Sequence, residues 1–236
     1  VLMNVGTERP DAVEGLITTT AWSLPDGAGG RRVTYALEGS IFVTGAGIQW
    51  LRDGLGIIDE AAEVGSLAES VSDTDGVVVV PAFTGLGSPW WDPYARGTML
   101  GITRGTTKAH LARAVLESIA YQTRDVVDAM TNASGTPLAE LRVDGGASAA
   151  DLLVRIQADQ LGVPVRRSRE RETTAQGAAF LAGLAEGFWD SLDDVAAAWA
   201  SDATFEADGD ATVIEANYRR WLEAVERSRG WDRPIA

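Results

Sequence analysis

Four glycine-bearing stretches hold the residues that could meet a ligand. LRVDGG, from Leu141 to Gly146, reads as a strand that delivers two glycines to the start of a helix. Bare backbone at such a junction admits a flat or charged ligand without interference from Cβ. A tight turn needing positive φ is the alternative, and for the dipeptide alone the turn is the better supported reading. TGAGIQW, from Thr44 to Trp50, sets Gly45 and Gly47 inside a helical pattern, where each costs about 1 kcal/mol relative to alanine. Such glycines mark the close approach of a second helix or of a ligand, helix packing being the simpler account. TTAQGAAFLAGLAEG, from Thr173 to Gly187, repeats small residues at Gly177, Ala178, Ala182 and Gly183. That pattern predicts close packing of a helix in the core, with a hinge or interdomain contact as the other possibility. PAFTGLGSPWWDPYARG, from Pro81 to Gly97, gathers aromatics on a Gly/Pro loop. Its rings must pack on this domain, on another domain or on another subunit.

General acid-base candidates are few. Asp92 and Asp144 could each be put forward as a base, but isolated carboxylates in an acidic chain mostly cap turns or face solvent. Asp125 and Asp128, on a long helix, are expected to be surface charges. Neither a G-x-G-x-x-G fingerprint nor a G-x-x-x-x-G-K-[ST] phosphate loop is present.

Composition narrows the classes further. Lys plus Arg number 20 against 34 Asp plus Glu, a net charge of −14. Extended nucleic-acid binding needs clustered cations and is disfavoured, whereas a single nucleotide can be held by backbone N–H groups alone. With no cysteine, thiolate chemistry and disulfides are excluded, and His110 is the only histidine. No apolar run approaches the ~20 residues needed to cross a bilayer and no leader is evident, so a cytoplasmic protein without membrane partners is expected. The chain opens at Val1 inside VLMNVG, already strand-like and without an initiator Met, which suggests a piece of a longer protein.

The elements that must position these residues follow from periodicity. Val1–Val5, Gly15–Leu24 and Arg32–Leu37 read as strands of a meander or hairpins, with PDGAGG as a turn. A helix is expected over GSIFVTGAGIQWLRDGLG and a short one from Asp59. GVVVVPAF reads as a strand buried on both faces, as in a parallel or mixed sheet. A long helix from His110 to Met130, a strand at LRVDGG, a helix over Ala149–Leu161 and a strand at VPVRRS follow. Helices over Thr174–Trp189, Ser191–Ala200 and Val213–Arg229 complete the chain. No repeat or linker divides it. One α/β domain spanning 1–236 is expected, a mixed sheet with helices on both faces.

The order of YALEGSIFVTGAGIQWLRD, VVPAFTGLGSPWWDPYARG, GITRGTTKAHLARAVLESIAYQTRDV, LRVDGGASAADLLVRIQAD and TTAQGAAFLAGLAEGFW resembles the C-terminal domain of the FGGY carbohydrate kinases. The stretch from Phe83 to Gly97 resembles most the members that phosphorylate glycerol. The resemblance covers nearly the whole chain and implies an actin/Hsp70-like (ribonuclease H-like) ATPase fold. It implies that ATP, with Mg²⁺, gives its γ-phosphoryl group to glycerol in a cleft between two domains. Gly146 would lie against the nucleotide, with Gly45 and Gln49 facing it from the neighbouring helix. Ala150 stands where the family often has Asn, so one side-chain contact to the nucleotide would be lost. The general base, the glycerol contacts and the first phosphate loop would belong to an N-terminal domain that this chain lacks. The chain would thus carry no catalytic residue and be inactive alone, and its parent would be a homo-oligomer. Another FGGY kinase acting on a pentose, sugar acid or polyol is the second reading; a non-catalytic actin-like binding module is the third.

Overall fold

The computed structural model of the chain describes residues 1–26 and 28–234. Its first strands, β1 (Leu2–Gly6), β2 (Ile17–Pro25) and β3 (Arg31–Glu38), form an antiparallel sheet in the order β1-β3-β2. The turn between β2 and β3 is held by Asp26, whose carboxylate accepts the N–H groups of Ala28 and Gly30 at 2.9 Å. Asx geometry of this kind explains why Asp precedes the glycines.

Helix α1 (Gly45–Asp53) starts six residues later than its sequence pattern predicts. The preceding segment is pinned instead of coiled. A Cβ on Gly39 would lie 2.3 Å from Val126, and the Ser40 carbonyl accepts the Ser88 N–H at 2.8 Å. Helix α2 (Glu63–Glu69) follows, then β4 (Val78–Val80) and β5 (Thr98–Leu100). The apolar β4 is buried as expected, but not inside a parallel sheet. It pairs antiparallel with β5 alone, and its faces are covered by α3 (Lys108–Ser134) and α7 (Ala211–Ser228).

The long helix α3 is the spine of the core. Buried Ala112, Val115, Leu116 and Ile119 face α1, α2 and α4 (Asp151–Leu161). Farther along, Val126 and Met130 support Met3 and Leu37 of the first sheet. His110 closes the start of α3 by accepting the Thr107 N–H on Nδ1 at 3.0 Å, half of a capping box with Thr107. Strand β6 (Leu141–Val143) pairs parallel with β7 (Val165–Ser168), which pairs antiparallel with β8 (Ser201–Phe205). The architecture is mixed α/β as expected, with its strands divided into three hydrogen-bonded sheets among the described residues.

Two expectations fail. Helix α5 (Thr173–Ala185) has no buried residue, and a Cβ on Gly177 would meet nothing within 4 Å. Its small residues therefore do not pack in the core, although Gly183 admits Trp189, whose ring would lie 2.6 Å from a Cβ there. Asp125 is no surface charge: it is 4% exposed and accepts hydrogen bonds from Trp90 (3.2 Å), Tyr218 (2.6 Å) and Trp221 (2.9 Å). Its neighbour Asp128 does face solvent, within 3.5 Å of Arg124. Strands β5 and β8 and the short helix α6 (Leu192–Ala198) complete the chain, the strands having been too short or too polar to stand out.

Candidate nucleotide cleft

Helix α1 shows how one glycine pair divides two tasks. Gly47, Ile48 and Leu51 form its buried face, and a Cβ on Gly47 would come 3.2 Å from Val115 of α3. Gly47 is therefore a packing glycine. Gly45 and Gln49, one turn apart, lie on another face. A Cβ on Gly45 would meet nothing within 4 Å, and the Gln49 side chain is exposed.

The second glycine pair divides in the same way. Gly145 has φ +79°, the left-handed region that a turn out of β6 requires. The Ser148 hydroxyl fastens this turn by donating to the Gly145 carbonyl at 2.8 Å. Gly146 begins a short 3₁₀ turn (Gly146–Ala149) that runs into α4. Added there, a Cβ would again find open space. Of the alternatives posed by LRVDGG, the turn is realised at Gly145, and the backbone of Gly146 is left open beside it.

These open positions converge. Gly45, Gln49, Gly146 and Ala150, the four residues singled out from sequence, line one cleft of about 370 Å³. Ala61, Ala62 and Val64, at the start of α2, form its apolar wall. Arg171, from the loop between β7 and α5, supplies the only charged side chain of the lining and has no ion-pair partner among the described residues. Neither Arg171 nor the α2 wall was singled out beforehand. Arg171 lies in the mixed-charge run RRSRERE, where no spacing distinguishes one arginine from its neighbours. The small residues of the wall show no period.

Among the described residues no carboxylate lines the cleft. Asp144 is occupied at the end of β6, accepting the N–H and hydroxyl of Thr173 at the start of α5. Asp92 is buried in the aromatic loop and accepts the N–H groups of Tyr94 and Gly230, each at 2.8 Å. Burial alone would raise its pKa, but these N–H groups outweigh it and hold the carboxyl below its ordinary range. Both aspartates are therefore engaged as caps within the fold. The loop packs chiefly on its own domain: Trp90 reaches Asp125, while the Trp91 indole donates to the Gly15 carbonyl at 2.8 Å.

Chemically, this arrangement can bind and orient. Bare glycine backbone, an amide, an apolar wall and one guanidinium suit a flat base with polar and anionic groups attached. No group of three or more His, Asp or Glu side chains is placed to hold a metal ion among the described residues. Nor is any described helix long and apolar enough to cross a membrane.

Comparison with known proteins gives this chain a family. The profile of the FGGY family of carbohydrate kinases, C-terminal domain, matches residues 1–186. A glycerol kinase of Bordetella parapertussis is 57% identical over 100% of this chain, which spans 46% of that protein's length. The crystal structure of Plasmodium falciparum glycerol kinase with ADP superposes with a TM-score of 0.87 at 37% identity, covering 96% of this chain and 44% of that one. A gluconate kinase from Lactobacillus acidophilus shares the fold, with a TM-score of 0.76 at 20% identity over 96% of this chain and 44% of its own. This chain belongs to the FGGY family of carbohydrate kinases, matching its C-terminal domain.

Proposed function

We propose that this chain is the nucleotide-gripping half of an ATP-dependent kinase that phosphorylates glycerol to glycerol 3-phosphate. One observation carries the reading: Gly45, Gln49, Gly146 and Ala150, distant in sequence, open onto one cleft with Arg171 beside them. The 57% identity to a glycerol kinase supports glycerol as the acceptor, and the ADP in the Plasmodium structure supports a nucleotide in the cleft.

Phosphoryl transfer depends on positioning, on charge stabilisation and on a base for the acceptor hydroxyl. These residues meet the first requirement and part of the second. Glycine backbone at 45 and 146 admits the adenosine, the Gln49 amide fixes its orientation, and the Arg171 guanidinium meets ribose or phosphate oxygens. Ala150 leaves one side-chain contact unfilled. The base and the glycerol contacts must come from the remainder of the longer protein, with closure of the two halves excluding water. Among the described residues no three or more carboxylates are grouped to hold Mg²⁺ by themselves, and no step is routed through the ion.

The test is reconstitution. The purified chain should show no glycerol-dependent ADP formation, and adding the remainder of the polypeptide should restore it. Turnover by the chain alone, or a reconstituted enzyme indifferent to glycerol, would overturn the proposal. Arg171→Ala should weaken ADP binding more than adenosine binding, which calorimetry with both ligands would show.

A further inference from the structure

We infer that Arg167 is a positioning residue for the nucleotide: it holds the turn that presents Gly146, and acts on the ligand through that turn and not by contact. The inference rests on the reading of the cleft as a nucleotide site and adds to it the residue that keeps one wall in place.

That wall is a single 3₁₀ turn, Gly146–Ala149, which supplies Gly146, Ala147 and Ala149 to the cleft. Two successive glycines give its entry more conformational freedom than any other residues would. Within the turn, the Ser148 hydroxyl donates to the Gly145 carbonyl at 2.8 Å and the Ala150 N–H to the Ala147 carbonyl at 3.2 Å. One turn with so little of its own to hold it takes its position from what it is tied to.

Arg167 supplies the tie. It lies on β7, the central strand of its sheet, in register with Val143 of β6 and Ala203 of β8. Val143 stands two residues before Gly145, so the guanidinium and the turn start from neighbouring points of one frame. Its Nη1 donates to the Ser148 carbonyl at 3.0 Å and to the Asp151 carboxylate at 2.7 Å, while Nε donates to Asp202 at 2.9 Å. The guanidinium also lies over the Phe205 ring, 5.5 Å from its centroid. One planar fork thereby joins the turn, the first residue of α4 and β8, a task for which a single-point ammonium is unsuited. The side chain is only 17% exposed, which shields these bonds better than those of an open surface pair.

The run RRSRERE thus divides its work. Arg166 pairs with Glu140 and lies over Trp199, and Arg171 opens onto the cleft. Arg167 does not itself line the cleft, so any effect it has on the ligand passes through the turn. Without the guanidinium, the Ser148 carbonyl loses its partner, and Asp151 and Asp202 lose the cation between them. The turn then occupies several positions in place of one, and the nucleotide binds only the fraction that fits, which lowers its apparent affinity by that fraction. Arg167 governs nucleotide affinity and leaves the chemical step alone.

Calorimetry with ADP, joined to amide hydrogen exchange, tests this. Arg167→Ala should weaken ADP binding by about tenfold, and Arg167→Lys, which keeps a charge but not the fork, by about threefold. In Arg167→Ala the amides from Ala147 to Leu152 should exchange faster than in the parent chain. In the enzyme reconstituted with the remainder of the polypeptide, Arg167→Ala should raise KM for ATP and leave kcat and the KM for glycerol unchanged. Added to Gly146→Val, the loss of Arg167 should cost no more than about twofold further, because the wall through which it acts is already blocked. The inference is overturned if folded Arg167→Ala binds ADP like the parent chain, if kcat falls in place of the rise in KM, or if the two variants add in full. Should Arg167→Ala fail to fold, Arg167→Lys decides by the same comparison with the parent. A parent chain that binds no ADP, with turn amides that still quicken in Arg167→Ala, would remove the nucleotide reading and keep the hold on the turn. ADP binding by the parent chain with turn amides unchanged in Arg167→Ala would do the reverse.

Discussion

Asp125 and Gln49 are both polar residues on helices, and their surroundings could hardly differ more. Asp125 sits among Trp90, Tyr218 and Trp221, each donating a hydrogen bond to it. Tyr121 stacks on Trp221 with ring centroids 5.5 Å apart, and Trp221 is fully buried. Gln49 instead faces a cleft in which added Cβ atoms on Gly45 and Gly146 would touch nothing, with an Arg171 that has no ion-pair partner among the described residues. In the first region every polar atom is answered from within the fold. In the second, polar atoms and bare backbone wait for something from outside. On the proposed reading the first region serves stability and the second binding, and variants should separate the two.

The largest effect is expected at Trp221. Replacing it by Ala removes a buried ring and one donor to Asp125, and should destabilise the fold by about 3–5 kcal/mol. Chemical denaturation would measure this, and a loss below about 1 kcal/mol would show that the aromatic cluster does not hold α7 in place.

A smaller effect concerns pH. Burial pushes the Asp125 carboxyl above its ordinary range, against the three hydrogen bonds that favour its charged form. Burial likewise raises Glu117, opposed by the Tyr121 hydroxyl and Arg113. In the window between the ordinary carboxylate pKa and the raised one, the unfolded chain is ionised while the folded chain keeps its proton. Stability from these two groups is then full below that window and falls as pH rises through it. Asp92, held low, acts oppositely: its contribution is lost as pH falls below the ordinary carboxylate range. Denaturation across pH should show part of the falling slope disappear in Asp125→Asn. A slope unchanged in that variant would contradict the assignment.

The smallest effect sharpens the cleft side. Ala150→Asn would restore a side chain able to reach the ligand, and is expected to tighten ADP binding about threefold with stability unchanged. Equal affinity would mean that position 150 faces the cleft without touching the nucleotide.

The cleft was more legible in sequence than the core. Gly45, Gln49, Gly146 and Ala150 were singled out by the family resemblance; from residue type alone TGAGIQW read as helix packing and LRVDGG as a turn, because whether a glycine is free of neighbours is decided by the tertiary fold. Arg171 was not legible, since a guanidinium in a mixed-charge loop gains its role only when β7 and α5 bring it to Gly146. Asp125 was misread because helical spacing alone does not show that Trp90 and α7 would close over that side of α3. The stripe on α5 was misread for the converse reason: small residues allow close packing, but here only Gly183 meets a neighbour, Trp189 just beyond the helix, and the core does not reach them. Strands β6 and β7 were found from their apolar patterns, whereas β5 and β8 acquire strand character only from the partners they pair with.

The division between a sealed cluster and an open cleft is tested most directly by calorimetric titration of ADP into the chain and into Gly146→Val. A Cβ at this site would meet nothing within 4 Å, so a valine side chain is expected to project into the cleft. ADP affinity should therefore fall by about tenfold or more, with the denaturation midpoint of the free chain little changed. Unaltered ADP binding by a well-folded Gly146→Val would contradict the placement of the nucleotide and, with it, the central claim.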